Sequence, residues 1–109
     1  MNDVLHKARE HFARMRGQSM TVPEWGLEVH FDPLTMRERQ ALQSAAKGSD
    51  AQAAILVVVR HAKGAGGERL FADDAKTRKT LENEVDPAVI GRIAAAILGA
   101  SDPDDLGES

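Results

Sequence analysis

Near the start of the chain, apolar positions return at helical spacing. Val4, Leu5, Ala8, Phe12 and Met15 fall on one side of a helical wheel, with Lys7, Arg9, Glu10 and Arg14 elsewhere around it. The pattern predicts an amphipathic helix over residues 2–15, stopped by Gly17. From Met20 to Asp32 the period changes: Leu27, Val29 and Phe31 alternate with Glu28, His30 and Asp32, the period of a half-buried strand. Pro23 lacks an N–H and belongs on an edge strand, and Trp25-Gly26 lies between the two extended pieces, at the turn of a hairpin.

After Pro33, Thr35 stands three residues before Glu38, the spacing of a capping box, which predicts a helix to about Lys47 closed by Gly48. Ser49 or Asp50 caps a further helix over Ala51 to Ala62. Its centre, Ile55 to Val59, is apolar at every position and would equally suit a buried strand; the cap, the length and the flanking alanines favour a helix buried on all sides. Lys63-Gly64-Ala65-Gly66-Gly67 breaks regular structure ahead of a short extended piece, Glu68 to Phe71. Asp73 or Asp74 caps a helix to about Asn83, and Asp86-Pro87 opens the last one, whose apolar stripe is Val89, Ile90, Ile93, Ala94, Ile97 and Leu98 before Gly99.

These elements predict an α+β fold, mainly α-helical with four to five helices and a small β-hairpin near residues 20–32. The expected organisation is an N-terminal amphipathic helix over 1–19, a compact domain over 20–99 and a disordered acidic tail over 100–109 carrying Asp102, Asp104, Asp105 and Glu108.

A length of 109 residues suits a single domain. Alanine supplies much of the hydrophobic content, against three Phe, one Trp and no Tyr, so thin helices in close contact are expected. A formal charge of −3 gives no global pull toward nucleic acid or an anionic membrane. The absence of cysteine excludes disulfides, thiol nucleophiles and thiolate metal sites and agrees with a reducing compartment, so a cytoplasmic location is expected. The first turns lack the apolar block of an export signal, and the longest apolar run, Ala53 to Val59, is far shorter than the roughly 20 residues that span a bilayer.

Little in the sequence points to bond-making chemistry. His6 and His11 are five positions apart, about 140° around a helix, and do not form a ready metal pair. A site assembled from His30, His61 and a carboxylate is the remaining metal or enzyme alternative. Ser19, Ser44, Ser49 and Thr35 sit in no nucleophile elbow, the glycine cluster lacks a phosphate-loop pattern, and the pairs Asp73-Asp74 and Asp104-Asp105 stand at a helix start and in a tail. No catalytic residue, metal or cofactor is expected. Lys7, Arg9, Arg14 and Arg16, then Arg37 and Arg39, then Lys76, Arg78 and Lys79 could meet phosphates, which gives a small nucleic-acid-binding module as the alternative function. Glu10, Glu38, Asp73, Asp74, Glu82 and Glu84 balance them, which favours solvated helix faces. Trp25 either covers the helical core or serves as an exposed anchor of the kind that dominates binding energy.

The run Val22-Pro23-Glu24-Trp25-Gly26 into Leu27-Glu28-Val29-His30-Phe31, then Leu34-Thr35 with Glu38, resembles the front of the small tail assembly chaperones of long-tailed phages, prophages and gene-transfer particles. Gly67-Glu68-Arg69-Leu70-Phe71-Ala72-Asp73-Asp74, followed by Asp86-Pro87-Ala88-Val89-Ile90 and an alanine-rich helix, is similar to that family's second half, so the resemblance covers about residues 20–99. It implies a non-enzymatic helper, without cofactor, that coats the tape measure protein until tail tube subunits assemble around it. The tail tube protein is then a second partner, and self-association into a homo-oligomer is expected. An edge strand can accept a partner, which makes Val22, Trp25, Leu27, Val29 and Phe31 the expected contact strip, on a scaffold formed by the helix over 51–62.

Overall fold

Val22, Val29, Val57, Val58, Val59, Ile93 and Ile97 are wholly closed to solvent, and the architecture follows from how the chain buries them. The computed structural model describes residues 2–100. In chain order these form α1 (Asn2–Arg14), β1 (Gln18–Val22), β2 (Leu27–Phe31), α2 (Met36–Ala46), α3 (Asp50–His61), α4 (Ala75–Glu84) and α5 (Pro87–Leu98). The result is a mainly helical α+β fold in which helices cover one face of a two-stranded antiparallel hairpin.

The ambiguous apolar run is helical. Ile55, Leu56, Val57, Val58 and Val59 are all buried, so α3 is the central element, packed most extensively on α5 and then on α2 and α4. Ser49 starts it by accepting the Gln52 N–H at 3.2 Å, which frees Asp50 to serve as the first helical residue. α5 presents Val89, Ile90, Ile93, Ala94 and Ile97 to the core. Asp86 caps its N-terminus through the Ala88 N–H at 2.9 Å, and Pro87 occupies the position where no amide donor is required.

The capping box at α2 is complete: Glu38 N–H donates to Thr35 Oγ1 at 3.1 Å, and Thr35 N–H donates to Glu38 Oε1 at 2.8 Å. The helix ends at Ala46, and Lys47 adopts the left-handed conformation (φ 52°) ahead of Gly48 (φ 83°). Two consecutive left-handed residues turn the chain sharply into α3. At α4, Asp74 is the cap, accepting the Thr77 N–H at 2.7 Å. Its neighbour Asp73 instead receives the Arg78 guanidinium at 2.8 Å and that of Arg60 at 3.4 Å, tying the entrance of α4 to the last turn of α3.

In the hairpin, Val22 pairs with Leu27 beside the turn and Gln18 with Phe31 at the far end. Trp25 N–H to Val22 C=O and Gly26 N–H to Pro23 C=O, each 3.1 Å, close the turn, with Gly26 at a positive φ of 66°. Arg92 of α5 fastens this turn through a 2.6 Å contact with Glu24. β1 begins at Gln18, two residues before the expected start, because Gly17 turns the chain out of α1 and its N–H is held by the Asp32 carboxylate at 2.8 Å. After α3, Lys63 exchanges both backbone hydrogen bonds with His30 at 2.8 Å, and Gly64 N–H reaches Glu68 C=O at 2.8 Å. The glycine segment is therefore a narrow loop that covers part of the outer edge of β2, leaving β1 as the open edge.

α1 differs from every other helix. It packs extensively on no other element, and Val4 and Leu5 remain 71% and 64% exposed. The molecule is correspondingly elongated, 48 × 31 × 27 Å. Among the described residues no helix is long and apolar enough to cross a membrane. The acidic run 101–109 lies outside the described residues.

Candidate functional site

Burial divides the expected contact strip. Val22, Val29 and Phe31 point into the core beside α3 and α5, so they hold the hairpin from within and are closed to a partner in this fold. Register sets Val22, Leu27, Val29 and Phe31 on one face of the hairpin, the face that the helices cover, and Leu27, beside the turn, lies at the margin of that cover. Trp25, half-buried, and Leu27, 38% exposed, are the two members of the strip that reach the surface.

At that surface they meet residues from distant parts of the chain. Trp25, Leu27, Leu70, Phe71, Leu81 and Val85 line an apolar groove of about 300 Å³ at the turn end of the hairpin. The Phe71 ring meets Trp25 edge to face, with centroids 6.0 Å apart and planes at 74°. Leu81 is the one buried residue of α4, and Val85 stands at its C-terminal cap, so the short helix forms one wall. Sequence reasoning missed Leu70, Phe71, Leu81 and Val85. The signal available for two of them was the adjacent pair Leu70-Phe71 after a glycine loop, too short a piece to carry periodicity of its own.

A second apolar surface lies on α1. Ala8, Arg9, Phe12, Ala13 and Arg16 line an open groove of about 420 Å³ along the helix. At its base, Phe12 and Arg16 also border a recess of about 220 Å³ shared with Asp32, Pro33, Thr35, Glu38, His61 and Lys63.

The histidines are scattered in role. His6 pairs with Glu10 one turn on at 3.2 Å, and His30 lies 3.5 Å from the Glu28 carboxylate. His61 is held below its ordinary pKa, chiefly by burial; Glu38 opposes the shift, and Lys63, Arg60 and Arg69 reinforce it. Among the described residues no group of three or more His, Asp or Glu side chains could hold a metal ion. Thr35, Ser49 and Asp74 are engaged as helix caps. Of the basic clusters, Arg39 donates to the Leu98 carbonyl and Arg78 is paired with Asp73. Lys7, Arg9 and Arg16 meet no carboxylate among the described residues.

Comparison with protein-family models, with curated proteins and with solved structures gives no match.

Proposed function

We propose that the chain is a non-enzymatic tail assembly chaperone that binds the tape measure protein and keeps it soluble until tail tube subunits assemble around it. The observation that supports this most is the open apolar groove bounded by Trp25, Leu27, Leu70, Phe71, Leu81 and Val85. It combines a large amphipathic ring with aliphatic walls on rigid elements, the composition of a surface that receives apolar ridges of a partner. The tail-chaperone resemblance spans the residues that build it, from Val22 to Leu27 on one side and Gly67 to Asp74 on the other. In this reading several copies coat one client in the host cytoplasm, and the charged exterior keeps the complex dissolved.

Co-expression with the tape measure protein tests the proposal. The wild-type chain is expected to bring the client into the soluble fraction and to co-purify with it. Leu27→Asp, placed on an exposed groove wall, is expected to lose co-purification while its melting temperature stays within a few degrees. A client that remains insoluble beside the folded wild-type chain, or a Leu27→Asp variant that co-purifies undiminished, overturns it.

A further inference from the structure

The apolar stripe of α1 runs from Val4 and Leu5 through Ala8 to Phe12, about 12 Å along the axis at roughly 1.5 Å per residue. Its borders are cationic. Helical spacing sets Arg9 on one side and Lys7 on the other, and Arg9 and Arg16 line the same groove as Ala8, Phe12 and Ala13. The acidic residues Asp3 and Glu10 fall on the opposite side of the helix, where Glu10 pairs with His6. Residues 2–16 carry four Lys and Arg against two Asp and Glu, although the chain as a whole has a formal charge of −3. Among the described residues, an exposed apolar centre rimmed by cations that meet no carboxylate is thus confined to the helix that stands away from the core.

We infer that α1 is a recognition arm for a helical segment whose apolar ridge is flanked by Asp or Glu side chains. The stripe has the width of one helix face, and the small side chain of Ala8 at its centre lets a partner backbone approach closely. Carboxylates on the partner's flanks meet Lys7, Arg9 and Arg16, which steers the encounter and fixes its register. A second copy offering the same face would set these cations against one another. The contact is small: three turns of helix cover much less than the roughly 800 Å² per partner of a stable interface. Affinity per copy is therefore low, and a long client with repeated acidic-flanked segments raises it through effective concentration. The inference rests on the chaperone reading only for the identity of the client.

The test uses the full chain and two labelled synthetic amphipathic helical peptides with the same Leu/Ala ridge, one flanked by Glu and one by Lys, read by fluorescence anisotropy. The Glu-flanked peptide is expected to bind, and to bind more weakly as salt rises. Leu5→Asp, and separately the pair Lys7→Glu with Arg9→Glu, are expected to weaken it by about tenfold or more. The triple variant Lys7→Glu, Arg9→Glu and Arg16→Glu is expected to prefer the Lys-flanked peptide. Circular dichroism verifies that each variant keeps its helix.

Equal affinity for the two peptides, no binding of the Glu-flanked one, or binding indifferent to Leu5→Asp overturns the inference. So does Leu5-dependent dimerisation or Leu5-dependent sedimentation with phosphatidylglycerol vesicles when the Glu-flanked peptide does not bind. Loss of peptide binding with tape measure solubility intact removes the arm and leaves the chaperone. Peptide binding with an insoluble tape measure removes the chaperone and leaves the arm.

Discussion

The rings of Trp25 and Phe71 meet edge to face at a centroid distance of 6.0 Å, joining the hairpin turn to the segment that follows the glycine loop. Trp25 thereby serves two ends: part of its ring packs against the core cluster, and part forms a wall of the open groove. An edge-to-face pair contributes about 0.5–1.5 kcal/mol beyond the area it buries. A double-mutant cycle of Trp25→Leu and Phe71→Leu, followed by urea denaturation, is expected to return a coupling in that range. Because Trp25 is the only tryptophan, its emission should shift to longer wavelength in Phe71→Ala. Additive effects with unchanged emission would show that the two rings do not support each other in solution.

Ile93 is wholly buried between α5 and α3, whereas Val4 is 71% exposed on α1. Removing side-chain volume from a closed core leaves a cavity as well as lost transfer energy, so Ile93→Ala is expected to cost about 2–5 kcal/mol. Val4→Ala should change stability by less than about 0.5 kcal/mol. Urea midpoints of the two variants check the contrast. A large effect at Val4 would mean that α1 folds against the body in solution.

The order of the helices, the Thr35–Glu38 capping box, the Ser49 and Asp86 caps and the turn at Trp25-Gly26 were legible because each depends on residues a few positions apart. Ile55 to Val59 was harder, since a run apolar at every position carries no period; the cap and the flanking length decided it. The groove was legible only in half. Its hairpin wall is local, but Leu70, Phe71, Leu81 and Val85 join it through packing between distant segments, and no short-range spacing encodes that. Val22, Val29 and Phe31 are expected in the contact strip and are instead buried, for a related reason. Alternation says that one face of a strand is apolar, and only the helices brought back by the chain decide that this face is covered.

Lys47 holds a left-handed backbone (φ 52°) that a side chain bearing a Cβ resists and glycine adopts freely. Its N–H closes the last turn of α2 through the Gln43 carbonyl at 3.2 Å, a bond that Lys47→Gly keeps. Lys47→Gly is therefore expected to raise stability by about 1 kcal/mol, with Lys47→Val lowering it. Thermal melts of the two variants on either side of wild type check the sign. Destabilisation by glycine would mean that the Lys47 side chain contributes more than its backbone strain removes.

His61 supplies the pH dependence. Burial, its largest influence, disfavours the imidazolium, and Glu38 offsets this only in part, so the folded pKa lies below the ordinary value of 6.5. Above pH 6.5 both folded and unfolded chains carry neutral His61, and its contribution to stability is intact. As pH falls through 6.5 the unfolded chain takes up a proton more readily than the fold, and stability is lost until the folded pKa is passed. Glu24 and Asp74 titrate in a separate window, because hydrogen bonds from Arg92 and from Thr77 hold their carboxyls below the ordinary 4.5 and 3.8. Their share of stability persists until the solution is more acidic than those values. Urea midpoints taken from about pH 7.5 to about pH 5.5 should decline in the wild type and flatten in His61→Gln, whose amide does not titrate. An equal decline in both would place the proton uptake at another group and remove His61 from the account.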